Sequence, residues 1–384
     1  MRDVAIIGVG LTKVDQHFNV SIRELFKTAV GKALDDSLNP EIESVYIGNM
    51  AADEFNQQKN LASLLIDFAG LSNVPATRIE TGESSGGSAV ISGFMDVASG
   101  LHDFVLVGGV EKMSEVVSAE AGAIMSLGMF QEYETVQGLS PDGAAALVMR
   151  KYMHKYDLTH EDIATLAELD HKNAVSNPYA QLPFEVTIEN IVSSRPVADP
   201  ITLMDCAPLG DGAAAIVLCP LEKARKIIES PVQIAGVGQA SDSVALAQKE
   251  DILSFKSIKL AAERAYKMAK VGPGDIQVAE VFDSYSIYGL IALEELGLSG
   301  RGESAKLLKD GYFSKQGSKP INLSGGLKAR GHPIGATGVY QTAEIDLILR
   351  GNTQLKLDTN PRIGLSQTTS GAGANSTVQI LRRI

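Results

Sequence analysis

Chemistry is first suggested by a glycine-rich segment, Asn322 to Gly338 (NLSGGLKARGHPIGATG), in which His332 is pinned by the following proline and a helix start comes after it. An imidazole held between glycine turns can approach a ligand closely and donate to a developing oxyanion. A second segment, Arg78 to Gly87 (RIETGESSGG), reads as a turn between a strand and a helix beginning near Ser88, with Glu83 at the corner. Backbone N–H groups and the dipole at a helix start favour an anion there, which suits a base or a charge mimic better than a proton donor. The plainer reading of the same residues is a helix cap made by Ser84, Ser85 or Glu83. A third, Val278 to Tyr285 (VAEVFDSY), is a strand running into a polar cluster before a helix from Ser286 to Leu296. Ligands of open α/β sheets bind at strand ends, so Asp283 and Ser284 are expected within a substrate's reach, with an N-cap role as the alternative. A fourth, Ser366 to Gly373 (SQTTSGAG), places Ser, Thr and Gly after a strand at Ile363 to Leu365, where backbone N–H groups could donate to a carbonyl oxygen.

The elements that must position these residues alternate along the chain. Short β-rich runs (Val4–Ile7, Val45–Ile47, Phe104–Val107) separate helical patterns (Ser21–Leu38, Leu61–Ala69), which predicts a mostly parallel sheet with covering helices. Ser21 and Glu24 have the spacing of a capping box. Residues Ser114 to Ser140 break the alternation, helices are predicted over Asp142–Lys155 and His160–Asn177, and the run Ala213–Leu218 returns as a strand before the helix-like LEKARKII. Val4–Gly10 (VAIIGVG) matches Val232–Gly238 (VQIAGVG), and Ser21-Ile22 with Ala29 and Ala33 matches Ser257-Ile258 with Ala265 and Ala269. Each half is thus expected to begin with a strand, a Gly-x-Gly turn and an amphipathic helix. The halves are taken as 1–225 and 226–384, with an inserted loop region at about 114–195. Neither Gly-x-Gly carries the third glycine of a dinucleotide fingerprint.

Composition narrows the function classes. The 384 residues are 45% hydrophobic and 21% charged, enough for a large core, and the net charge of −12 comes with no basic block, so nucleic acid and anionic membrane are not expected partners. Two cysteines, Cys206 and Cys219, predict neither a disulfide framework nor a metal site, and point to a reducing, cytoplasmic setting. The N-terminal MRDVAIIGVG reads as a buried strand rather than a signal segment, and no apolar run approaches the roughly 18 residues of a membrane span.

Together the four segments resemble a thiolase of the archaeal and sterol-carrier-protein type over essentially the whole chain, GHPIGATG at Gly331–Gly338 being the most specific element. Val107–Met113 (VGGVEKM), Asn177–Ala180 (NPYA) and Asp205–Ala214 (DCAPLGDGAA) are similar to family segments in the same order. The resemblance implies two βαβαβαββ-type halves in a five-layered αβαβα core with an inserted loop domain, and a homodimer or homotetramer. It implies coenzyme A and acyl-CoA as substrates, no covalently bound cofactor, and acyl transfer of the acetyl-CoA C-acetyltransferase kind. Archaeal relatives assemble with a hydroxymethylglutaryl-CoA synthase through a zinc-ribbon and OB-fold protein, so such partners are implied as well. In the family pattern Cys-x-Ser-Gly the nucleophile position holds Glu83, and the His-Asp-Cys-Phe segment reads Phe282-Asp283-Ser284-Tyr285, so Ser284 stands for the second catalytic cysteine. His332 stands where the family places a catalytic imidazole. Ser84, Ala207, Asp283, Gly331, Gly371 and Gly373 are expected to contact substrate. An acyltransferase with altered or reduced catalysis follows. The alternatives are a non-catalytic acyl-CoA-binding or partner subunit, a decarboxylase, and a thioester hydrolase, the last in a form that uses Ser84 with His332.

Overall fold

The computed structural model describes residues 1–351, 357 and 359–384. Nine strands form its main sheet: β1 (Val4–Leu11), β2 (Ser44–Gly48), β3 (Ala76–Ile79), β4 (Val105–Glu111), β5 (Gly212–Pro220), β6 (Val232–Ser241), β7 (Val278–Glu280), β8 (Ile363–Ser370) and β9 (Asn375–Arg383). Their order is β3-β2-β4-β5-β1-β6-β9-β8-β7. Reading outward from the β1–β6 junction, β5 on one side mirrors β9 on the other, β4 mirrors β8 and β2 mirrors β7. Parallel pairing is confined to β2–β3, β2–β4 and β7–β8, and the remaining pairs are antiparallel. The expected mostly parallel sheet is therefore mixed. A strand buried on both faces shows an unbroken apolar run whichever way its neighbour points, so composition carries no directional signal.

The core explains those runs. Along β1, Val4 and Ile6 pack into one cluster while Ala5 and Ile7 pack into another, and β5 alternates in the same way. Between the two halves of the sheet lie two central helices, α3 (Ser85–Ser99) and α8 (Thr337–Arg350), buried over most of their circumference. Outside lie α1 (Ile22–Asp36) and α2 (Leu61–Phe68) on one flank, and α6 (Lys256–Ala269) and α7 (Ser286–Glu295) on the other. This is the five-layered αβαβα arrangement. Helix α1 starts as its sequence dictates: Ser21 Oγ accepts from the Glu24 N–H, and Glu24 accepts from the Ser21 N–H at 2.8 Å.

The two Gly-x-Gly pairs are not turns. Gly8 and Gly10 lie inside β1 and Gly236 and Gly238 inside β6, where a Cβ would strike the α1 carbonyls of Ala33 and Ala29, or the α6 carbonyls of Ala265 and Ala261. They let a helix lie directly on its strand, which accounts for the repeated pattern without a nucleotide. Residues 114–195 fall between the neighbouring strands β4 and β5 and contain α4 (Pro141–Tyr156), α5 (His160–Ala174) and two short helices. No helix among the described residues is long and apolar enough to cross a membrane.

Candidate functional site

Glu83 and His332 meet. Strand β3 ends at Ile79, the chain turns through Thr81 and Gly82 (φ +65°), and α3 begins at Ser85. Two serines hold this turn. Ser84 Oγ donates to the Thr81 carbonyl at 2.7 Å and contacts Asn375 Oδ1 at 3.0 Å, while Ser85 Oγ accepts from the Thr81 N–H at 3.0 Å. The Glu83 carboxylate is thus released from capping its own helix. It is 8% exposed, accepts from the Gly371 N–H at 2.5 Å through Oε2, and sets Oε1 3.4 Å from His332 Nε2.

Two contacts fix the imidazole. The His332 backbone N–H anchors the loop by donating to the Pro208 carbonyl at 3.1 Å, and on the ring Nδ1 lies 2.8 Å from Thr337 Oγ1 while Phe282 meets it edge to face at 5.4 Å. Thr337 Oγ1 itself donates to the Pro333 carbonyl, so it accepts from Nδ1–H and leaves Nε2 turned to Glu83. A hydrogen bond across that gap needs one proton, on Nε2 or on the carboxyl group. Behind the loop, Glu111 accepts from the N–H groups of Met50, Ala51 and Gly335 at 2.9, 3.1 and 3.0 Å. It thereby ties the end of β2 to the His332 loop, and burial pushes its carboxyl up to about 7 against those stabilising bonds. The starts of α3 and α8 approach so closely that a Cβ on Gly338 would fall on the Gly87 N–H, which is why both termini reach the same spot.

Glu83 lines a small pocket of about 50 Å³, together with Ser284, Tyr288, Met129, Val244 and Leu246. His332, 2% exposed, stands behind the carboxylate rather than in the wall. Ser284 Oγ is buried and has no partner among the described residues. Gly371 (φ +49°) lines the pocket as well as holding Glu83.

Several expected site residues are elsewhere. Asp283 is fully buried, and its two oxygens accept from the Leu327 and Lys328 N–H groups at 2.8 and 3.1 Å. It braces the π-helical turn Gly326–Arg330 that leads to His332, and is not open to a substrate. Ser84 is fully buried with its hydroxyl committed to Thr81 and Asn375, so the Ser84–His332 hydrolase geometry is not formed. Gly331 (φ +103°) packs against Gln181 and Val14, Gly373 (φ +82°) against Phe255, and neither lines the pocket. The Ala207 N–H donates to the Ser284 carbonyl, so it supports the wall without forming it. Ser366–Ser370 are not a loop after a strand but the second half of β8. The two cysteines also lie outside the pocket, and burial pushes each thiol up to about 12.

Sequence reasoning overlooked Thr337, Glu111, Glu134 and Tyr288. Thr337 sits within the GHPIGATG segment, five residues after His332, and could have been inferred as its partner. Glu134 lies in the patternless stretch 114–140, where nothing singles it out.

With this geometry in view, comparison with known proteins is direct. The description "Thiolase, N-terminal domain" matches residues 4–222, and "Thiolase C-terminal domain-like" matches residues 238–383. An acetyl-CoA acetyltransferase of Methanothermobacter thermautotrophicus is 42% identical over the full length of both chains. The benzoylsuccinyl-CoA thiolase subunit BbsB of Thauera aromatica is 32% identical, covering 96% of this chain and 95% of its own. Sterol carrier protein 2 of Bos taurus is 31% identical over 97% of this chain and 70% of its own length. Among solved structures, the Ltp2-ChsH2(DUF35) aldolase superposes with a TM-score of 0.86 at 24% identity, covering 99% of this chain and 97% of that one, a likeness of fold. By sequence and by architecture, the chain belongs to the thiolase family.

Proposed function

We propose that the chain binds acyl-CoA thioesters as its acetyl-CoA acetyltransferase relatives do, and that a carboxylate base at Glu83 replaces the nucleophilic thiol. The observation that carries this reading is Glu83 on the wall of an apolar pocket, backed by His332, with neither cysteine in the pocket lining. A carboxylate at the start of a buried helix, bonded to one backbone N–H, is an anion held ready to accept a proton. The reaction that follows from this is enolisation. Glu83 takes the proton from the carbon next to the thioester carbonyl, the C–H electron pair forms a C=C bond as the carbonyl π pair moves to oxygen, and Ser284 Oγ on the pocket wall donates to the oxygen that gains charge, while His332 behind Glu83 orients the carboxylate. Return of the proton reverses the step. Thiolysis of a 3-ketoacyl-CoA through an acyl-enzyme is strongly reduced, because a carboxylate is a poor substitute for a thiolate in forming that intermediate.

The test pairs binding with turnover. Calorimetric titration with acetoacetyl-CoA gives saturable binding, while addition of CoA produces acetyl-CoA far more slowly than an ordinary thiolase does. Turnover within tenfold of such an enzyme contradicts the reading. One observation favours a second reading, a non-catalytic subunit: Glu83 Oε2 already occupies the Gly371 N–H, a donor a substrate oxygen would otherwise take. Binding without enolisation, with co-purification of a partner enzyme or a zinc-ribbon and OB-fold protein, supports that alternative. Assembly as a homodimer or homotetramer is proposed from the family alone.

A further inference from the structure

The pocket at Glu83 has a neighbour. A larger groove of about 720 Å³ lies beside it, and the two share Glu134 and Leu246 as wall residues. These two residues therefore border both spaces. The groove is lined by Leu139, Leu147 and Ile252 together with Arg150, Lys151 and His154, and is open to solvent, where Tyr133 is 62% and Leu147 51% exposed.

The partition is held in place. Glu134, 4% exposed, accepts from the Leu246 N–H at 2.6 Å and from the Ala247 N–H at 3.3 Å through Oε1, which fixes the short turn Leu246–Gln248 against the inserted region. Leu246 is itself 5% exposed. Among the described residues the inner chamber has no Lys, Arg or His in its wall, and it carries the carboxylates Glu83 and Glu134, so it repels the phosphates of a CoA nucleotide. Its apolar lining of Met125, Met129, Ala144, Val244 and Tyr288 suits hydrocarbon instead.

On the reading that the site takes an acyl-CoA, we infer that this chamber receives the acyl chain and that Leu246, clamped by Glu134, is the end wall that fixes its length. The outer groove is the space a longer chain enters once that wall is removed. Leu246 is then a specificity-determining residue: it touches the end of the acyl chain and takes no part in the proton transfer at Glu83.

The experiment is a calorimetric series of straight-chain saturated acyl-CoAs of increasing length against the full-length protein, its Leu246→Ala variant and its Leu246→Phe variant. Burial of each methylene tightens binding by about fourfold until the wall is reached. The wild type shows that rise and then a stop. Leu246→Ala continues to gain affinity with chains at which the wild type has stopped, and Leu246→Phe stops earlier. Because Leu→Ala at a buried position opens a cavity that destabilises the fold, Leu246→Phe decides the question alone if the alanine variant does not fold. The same stopping length in the wild type and each folded variant overturns the assignment of the wall while leaving acyl-CoA binding intact. Absence of binding by any chain length overturns both.

Discussion

Replacing Glu83 by cysteine places a thiol at the corner between β3 and α3, and on the proposed reading this should bring in thiolytic activity. The new Sγ stands at the start of a buried helix beside His332, surroundings that lower a thiol's pKa and activate it. It also frees the Gly371 N–H, which Glu83 now occupies at 2.5 Å, for a thioester oxygen. Loss of a covalent nucleophile costs roughly 10⁶ in rate in a well-studied protease, so that is the ceiling for recovery. Ser284 still stands where an acid/base thiol is implied, and a missing general acid/base forfeits about 10²–10⁴ of it. Glu83→Cys should therefore raise CoA-dependent cleavage of acetoacetyl-CoA by about 10²–10⁴ over the wild type, from the difference between those two magnitudes. The double variant Glu83→Cys/Ser284→Cys recovers more. The assay follows loss of acetoacetyl-CoA and appearance of acetyl-CoA, with acyl-CoA affinity and melting temperature measured in parallel. A folded Glu83→Cys protein that binds the thioester and cleaves it no faster than the wild type refutes the placement of the nucleophile position at residue 83.

Other consequences follow from buried groups. Truncating Glu111 to alanine removes the acceptor of three backbone N–H groups and of Asn49 Nδ2. Each unsatisfied buried donor costs about 1–3 kcal/mol, so the denaturation midpoint falls sharply, and Glu111→Gln falls less. Gly338→Ala drives a Cβ into the backbone of Gly87 and should cost about 1–3 kcal/mol or more, read as a lowered melting temperature with weakened acyl-CoA binding. Burial raises the carboxyls of Glu111, Glu280 and Asp346 to about 7 and that of Glu344 to about 8, from ordinary values of 4.5 for Glu and 3.8 for Asp. The folded chain holds these protons more tightly than the unfolded one, so their contribution is fully present below about pH 4 and is lost as pH rises through 7 to 8. Asp211, with a depressed value, acts in the opposite sense only below the ordinary Asp range, while buried His171, pushed from 6.5 down to about 4, opposes the trend between those values and is outweighed by the four carboxyls. Melting temperature should accordingly be higher at pH 5 than at pH 8, and the reverse order contradicts the burial argument.

How much of this could be read beforehand depended on whether a residue's role is local. The α1 capping box, the glycine-borne histidine and the corner carboxylate each announce themselves within a few neighbours, and each is found as expected. Gly-x-Gly is legible as a repeat but not as packing, since its purpose lies in a helix about twenty to thirty residues on. Strand β8 runs on past Leu365, where the apolar signal ends, because the Ser, Gln and Thr side chains of its second half are satisfied by buried neighbours such as Gln341 and Gln379. Asp283 and Ser84 are polar residues at promising turns, but the distant N–H groups of Leu327 and Lys328 claim the first, and the Thr81 carbonyl with the Asn375 side chain claims the second. Glu134 and Leu246 lie 112 residues apart, and only the folded chain brings them together as one partition.

The account depends most on Glu83 acting as a proton acceptor toward a bound thioester. Incubating the protein with acetyl-CoA in deuterium oxide and following the acetyl group by mass spectrometry measures this directly. The account predicts deuterium in the acetyl methyl group at a rate well above buffer, abolished in Glu83→Gln while binding persists. Saturable acetyl-CoA binding with no deuterium above buffer, or exchange unchanged in Glu83→Gln, contradicts it.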